Sequence, residues 1–170
     1  MRTGNYCIAR NVVCLMDQVQ TSYNDYTISS DKTLLQLIEI HRFLYSEAYW
    51  SKNIPKEIVD KAMESSFCIG VYHSGKQVGF SRIITDYATF GYLADVYVLE
   101  AHRGKGISKA MMTAIMELDW VKGLRRFSLA TLDAQGLYSQ FGFAHSQHPE
   151  RLMEISKAGL YGDVNNPCTS

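Results

Sequence analysis

The stretch LADVYVLEAHRGKGISKA, residues 93–110, decides the fold. Residues 93–99 are rich in β-branched and aromatic side chains, the composition of a strand. Arg103, Gly104, Lys105 and Gly106 follow, so two glycines flank one lysine. Beyond them the apolar residues fall at Ile107, Met111, Ala114, Ile115 and Leu118, one face of a helix. The reading is strand, tight glycine turn, helix. The first amides of a helix, here those of Ile107, Ser108 and Lys109, have no partner inside it. Gly104 and Gly106 put no side chains in front of them. With Arg103 and Lys105 alongside, the turn is a site for a phosphate or pyrophosphate.

A Walker P-loop requires a longer gap between glycines and a Ser or Thr after the lysine, and this stretch has neither. A dinucleotide fingerprint requires a third glycine further into the helix, where residue 109 is Lys. The plain alternative is an ordinary glycine turn between a strand and a helix. A second stretch, LATLDAQGLYSQFGF at residues 129–143, reads as a strand followed by a short helix. Together the two stretches resemble the GNAT-type N-acetyltransferases. In the first, Arg103, Gly106 and Ser108 take the places of the family signature, with Ser108 standing where a Gly or Ala is usual. In the second, Leu137, Tyr138, Gly142 and Phe143 match at the family spacing, as does Ala134. Thr131 stands where the family often carries an Asn that reaches the cofactor. The motifs lie roughly thirty residues apart, room for a helix and a strand. The resemblance covers residues 66–143, and similar bacterial sequences, in which the Tyr49-Trp50 pair and the 85–90 stretch also recur, extend it back to about Tyr26.

Bulk properties agree with a single domain. The chain has 170 residues, enough to bury a sizeable core. Lys plus Arg equals Asp plus Glu at 17 each, which gives no electrostatic case for nucleic acid or an anionic membrane. Cys7, Cys14, Cys68 and Cys168 form no CxxC pair and no metal-ligand spacing, so no metal is expected and a reduced, cytoplasmic setting is the simple reading. No apolar run approaches the ~18 residues of a membrane span, and the start lacks a signal-peptide core. The expected organisation is an N-terminal extension over residues 1–24, an acetyltransferase domain over 25–158 and a C-terminal tail over 159–170.

Along the chain, residues 26–29 read as a first strand, and Ser30 or Asp31 can cap the helix after it. Leu34, Leu37, Ile38, His41, Leu44 and Tyr45 form one face of that helix. His41 reads as a satisfied rim histidine. Tyr49 and Trp50 are adjacent large aromatics in a connection, costly to expose. Pro55 opens a second helix over residues 56–65. Strands are expected at 67–72, 77–85 and 92–99, with a tight turn at Ser74-Gly75 and Gly79 giving room to a neighbour. Strand 127–131 lies parallel to 93–99 after a helical crossover, and a last strand includes residues 152–155. This is an α/β fold of the α+β kind. The resemblance makes it the GNAT acyl-CoA N-acyltransferase fold: a central, mostly antiparallel sheet with one splayed parallel pair, flanked by helices.

The resemblance implies acetyl transfer from acetyl-CoA to a primary amine, by direct attack in a ternary complex. Backbone amides of Val96, Tyr97 and Val98 would bond the acetyl carbonyl and pantetheine, fixed donors that serve as an oxyanion site. Arg103 to Lys109 would hold the pyrophosphate, with Thr131 and Ala134 beside the donor. Tyr138 matches the family's general acid; a phenol of pKa ~10 suits a thiolate whose parent thiol is near ~8.5. Asp95 is the candidate base, and its alternative is a strand carboxylate bonded to its neighbours. Asp86 and Glu100 are further carboxylates near strand ends. Glu47, Tyr49, Trp50, Tyr87 and Phe90 are candidates for the acceptor pocket, and this enclosure favours a small-molecule amine over a protein. A dimer is common in such folds. The rival readings are a catalytically silent acetyl-CoA sensor, a lysine or N-terminal protein acetyltransferase, and a scaffold.

Overall fold

The structure, a computed structural model, describes residues 18–157 and 159–162. Six strands form one sheet in sequence order: β1 Gln20–Tyr23, β2 Tyr26–Ser29, β3 Phe67–His73, β4 Lys76–Thr85, β5 Phe90–Val98 and β6 Arg126–Leu129. The first five are antiparallel to their neighbours, and β6 runs parallel to β5. The helices α1 Leu37–Ser46 and α2 Lys56–Glu64 precede β3. Helices α3 Ile107–Met116 and α4 Asp119–Gly123 make the crossover from β5 to β6, and the short α5 Gln135–Tyr138 follows. Each connection obeys its local chemistry. The β3–β4 turn is Ser74-Gly75 with both residues at positive φ, as a two-residue hairpin demands. A Cβ on Gly79 would crowd the Tyr97 carbonyl and Val71, so this glycine does give room to a neighbour.

Side chains alternate across the sheet into two cores. Phe67, Ile69, Val71, Ile83 and Leu93 pack with Ile107, Met111, Met112 and Ile115 under α3. Cys68, Phe80 and Tyr97 pack with Ile40, Phe43, Val59 and Met63 under α1 and α2. One residue breaks the alternation. Phe80 pairs with Tyr97 and Arg82 with Ala94, so Ser81 alone faces both Asp95 and Val96. This is a β-bulge. Asp95 occupies it with φ 52°, a left-handed conformation that Asp tolerates better than most residues. The extra residue resets the parity of β5: Leu93 and Val98 lie in the same core although five positions apart. The bulge also coincides with the end of the parallel pairing, whose last partners are Leu93 and Leu129. Beyond them β5 continues with no β6 residue beside it.

Several expectations need correction. Gln20–Tyr23 belongs to the sheet and is not part of an extension; all four residues are exposed, so pairing alone makes them a strand, and no apolar alternation marked it. Residues 1–17 lie outside those described. Asp31 caps a separate short turn, Lys32–Leu34, by accepting from the Thr33 amide at 2.9 Å, and α1 starts only at Leu37. The buried face of α1 is Ile40, Phe43 and Leu44, whereas Leu34, Leu37, Ile38 and Tyr45 are exposed. Both faces are apolar, so periodicity could not choose; the stacking of Phe43 on Tyr97, centroids 3.8 Å apart, chose. Residues 152–155 form no strand, and Met153 and Ile155 are 97% and 94% exposed. They carry strand-like side chains but no neighbouring strand to pair with.

Asp86 organises the β4–β5 turn: Oδ1 accepts from the amides of Ala88, Thr89 and Phe90 at 3.0, 2.9 and 3.1 Å, and Oδ2 from the Thr89 hydroxyl at 2.7 Å. The Thr89 hydroxyl first, then these amides, hold the carboxyl well below the usual range. A folded-state pKa below the unfolded ~3.9 stabilises fully above about pH 4 and is lost as pH falls. The gap in thermal midpoint between wild type and Asp86→Ala should therefore narrow as pH drops below 4. At the bulge, Arg82 Nε donates to Asp95 Oδ2 in a largely buried ion pair, side chains 17% and 10% exposed. Arg82→Met, which strands the carboxylate, should cost about 3 kcal/mol in urea unfolding. Adding Asp95→Gly, which suits the positive φ, should recover at least about 1 kcal/mol. Equal losses in the single and double variants would show that Arg82 does not act through Asp95.

Candidate active site

The glycine turn has the geometry its sequence calls for. Gly104 and Gly106 have φ of 74° and 80°, values that favour glycine. Gly106 caps α3, and the first helical bond is from the Ala110 amide to the Gly106 carbonyl at 3.0 Å. The amides of Ile107, Ser108 and Lys109 therefore point out of the helix start. A Cβ on Gly104 would meet nothing, so that side of the turn is open, whereas one on Gly106 would strike the Tyr23 hydroxyl. Lys105 is exposed beside the turn. Arg103 is exposed as well, but it is held: its Nε donates to the Val98 carbonyl at 3.0 Å, tying the turn to the end of β5. Ile107 and Val98 point into the core, and Tyr97 is buried against Phe43, so these three can offer a ligand only their backbones. Lys109 lines a groove toward β1, alongside Tyr23 and Gly106.

The open edge of β5 leads from this turn into a cavity of about 680 Å³. Ala94, Asp95 and Val96 form one wall, Ala130 to Ala134 with Tyr138 another, and α2 with the α1–α2 loop a third. The fold of the second motif explains how Tyr138 arrives there. The Thr131 hydroxyl accepts from the Ala134 amide at 3.0 Å and starts α5. Gly142, at φ 87°, then reverses the chain, so that the Phe143 ring packs against Tyr138 and Phe127. Tyr138 is buried, and desolvation, with smaller effects of Asp133 and Tyr49, pushes its phenol up to about 12. Thr131 and Ala134 line the cavity, but the Thr131 oxygen is already engaged.

Asp95 does not stand as a free base. Its Oδ1 accepts from the Trp50 indole at 3.0 Å and its Oδ2 from Arg82. Strict alternation would turn it away from Ala94; the bulge instead aims it at Arg82, the cross-strand partner of Ala94. Arg82 also donates from Nη1 to the Ser66 hydroxyl at 3.2 Å. Of the acceptor-pocket candidates, Tyr49 and Trp50 line the cavity, with rings edge to face at 5.0 Å. Glu47, Tyr87 and Phe90 do not. Glu47 pairs with Arg42 on the surface at 3.2 Å, Tyr87 packs edge-on against Phe67 and Trp120, and Phe90 starts β5 beside Arg126. Asp86 is consumed by its turn. His41 is the rim histidine expected, its Nε2 3.0 Å from the Ile54 carbonyl. Sequence reasoning missed Arg82 and the α2 wall of Ile58, Val59 and Met63. A lone arginine inside the apolar run 78–84 was the available signal, since such a charge requires a buried partner. Among the described residues no cluster of His, Cys, Asp and Glu could hold a metal, and no helix is long and apolar enough to cross a membrane.

Comparison with known proteins bears on this geometry. The model of the Acetyltransferase (GNAT) family matches residues 34–143. The chain is 35% identical over 136 residues to a protein of Gibberella zeae named "Putative acetyltransferase FG08082", covering 68% of this chain and 77% of that one. A crystal structure from Xanthomonas campestris described as a GNAT-family acetyltransferase is 48% identical, with TM-score 0.79, covering 81% of this chain and 97% of that one. Glucosamine-6-phosphate N-acetyltransferase of Arabidopsis thaliana, 16% identical with TM-score 0.53 over 78% of this chain and 97% of that one, shares the fold. A family model that matches residues 34–143, and relatives 35% and 48% identical over more than two thirds of the chain, show that the protein belongs to the GNAT family of acetyltransferases.

Proposed function

We propose that the protein moves the acetyl group of acetyl-CoA to a primary amine of a small molecule, with both substrates held at once at the bulge of β5. The observation that carries this reading is the single cavity that joins the open edge of β5, Tyr138 and the α2 wall. Acetyl-CoA, the family's co-substrate, supplies an activated thioester. Its fit rests on three features: the φ-positive glycines with open space at Gly104, the stretch of β5 past Leu93 that no β6 residue pairs, and the gap past Leu129. The outward amides of Ile107, Ser108 and Lys109 with Lys105 suit the pyrophosphate. The backbone at Val96 suits the acetyl carbonyl, where fixed donors favour the charge that develops on oxygen.

In the transfer, the amine nitrogen forms the new bond to carbon and then gives up one N–H proton to water at the cavity mouth, while the carbon–sulfur bond breaks and its electron pair leaves with sulfur. Tyr138 donates its phenol proton toward that sulfur and regains one from solvent. A phenol pushed up to about 12 stays protonated at neutral pH. It is also a weaker acid than free tyrosine, so it serves best as charge accumulates on the departing sulfur. Asp95, held by Arg82 and Trp50, acts as a positioning residue for the bulge. The amine reaches its neutral form by losing a proton to water at the cavity mouth.

Thiol release from acetyl-CoA over a panel of amines tests the reaction. Tyr138→Phe should lower kcat by about 10²-fold or more while the affinity for acetyl-CoA stays within a few-fold. Because the phenol remains protonated up to about 12, wild-type activity should show no loss from Tyr138 ionisation below about pH 11. A Tyr138→Phe rate equal to wild type at every pH would remove Tyr138 as the acid. Lys105→Glu, at an exposed position, should weaken acetyl-CoA at least about tenfold by calorimetry without changing the ligand-free thermal midpoint. Unchanged affinity would place the pyrophosphate elsewhere.

A further inference from the structure

The acceptor half of the cavity has a composition that selects among amines. Val59 and Met63, buried residues of α2, form its floor. Ile58, the residue before Val59, lines the same cavity and is 43% exposed, and Tyr49 and Trp50 line it too with their rings open to solvent. Large apolar groups left exposed around a concavity mark a surface completed by a ligand. The Trp50 ring is also fixed, because its indole N–H is bound to Asp95. The charges are few. Among the described residues the cavity wall carries one cation, Arg82, and two carboxylates, Asp95 and Asp133. Arg82 and Asp95 neutralise each other, and Ser66 takes a further Arg82 donor.

These observations decide between acceptor classes. A polyamine or an aminoglycoside brings several positive charges and requires several carboxylates; Asp133 alone is uncommitted by any ion pair described. An amino acid brings a carboxylate that requires a cation, and Arg82 is already paired. A charge placed against Val59, Met63 and Ile58 would lose its hydration without compensation. We infer that the acceptor is a primary amine on an uncharged apolar body, an arylalkyl or branched alkyl amine, whose body lies between Ile58 and Trp50. This rests on the acetyl-transfer reading above. The faces of Trp50 and Tyr49 also attract the ammonium on its way in, before it loses its proton.

The test compares phenethylamine, spermidine, phenylalanine and a lysine-containing peptide as acceptors, with thiol release as the readout and acetyl-CoA affinity by calorimetry as the control. Phenethylamine should exceed each of the others at least tenfold in kcat/KM. Ile58→Glu, at a partly exposed helix position, should cut kcat/KM for phenethylamine at least tenfold with acetyl-CoA affinity unchanged, and should narrow the preference over spermidine. A higher kcat/KM for spermidine, phenylalanine or the peptide would overturn the inference while leaving acetyl transfer standing. An unchanged phenethylamine value in Ile58→Glu would remove the α2 wall from the acceptor site. Acetyl-CoA binding with no thiol release from phenethylamine would also overturn the inference, and no release from the wider amine panel would overturn the acetyl-transfer reading itself.

Discussion

The ion pair between Arg82 and Asp95 holds the feature on which the site depends. Asp95 is the extra residue in β5, and its φ of 52° is a conformation that a strand does not adopt unaided. Arg82 holds its carboxylate from the neighbouring strand, and the Trp50 indole holds it from the loop above. Three separate parts of the chain thus meet on one side chain. The pair is largely buried, so losing either member leaves a charge without a partner, and this makes it a firm clamp. Its effect is geometric. With the bulge in place, Leu93 ends the parallel pairing and the backbone past it stands open.

The rest of the site is arranged around that opening. At one end lies the start of α3, where Gly104 and Gly106 leave the helix amides accessible and Arg103 ties the turn back to the Val98 carbonyl. At the other side lies Tyr138, carried by a helix of four residues whose exit through Gly142 brings Phe143 against the phenol ring. Both are products of short-range chemistry set on a rigid sheet. The α3 side is anchored by Met111, Met112 and Ile115, all fully buried, and the opposite side by the stack of Phe43 on Tyr97. A rigid scaffold with loops at one end is what precise placement of a donor and an acceptor requires.

The charges of the molecule divide into those that build and those that stay available. Asp86 and Asp95 both read as candidate chemistry in an unfolded string, and both spend their oxygens on local structure, as the capping Asp31 does. Glu47 is taken by Arg42. Lys105, in contrast, stays exposed at the turn, which is where a phosphate would be met. Around α2 and the Tyr49-Trp50 pair, this leaves a cavity wall that is mostly aromatic and aliphatic.

Local pattern made much of this legible. The glycine turn, the apolar face of α3, the Ser74-Gly75 hairpin and the Leu137, Tyr138, Gly142, Phe143 spacing all depend on residues within a few positions of each other, and physical chemistry at that range is written in order along the chain. The sequence by itself therefore determined the family, the mixed sheet and the place of Tyr138 on a short helix after the last strand. It could not determine the buried face of α1, because two faces were equally apolar and only the stack against Tyr97 separated them. It could not show that Gln20–Tyr23 is a strand, since pairing and not side-chain pattern makes it one. Above all, it could not reveal that Asp95 faces Arg82. Alternation is a property of one strand, whereas a bulge is a property of two, and only the register of β4 against β5 decided where that carboxylate points.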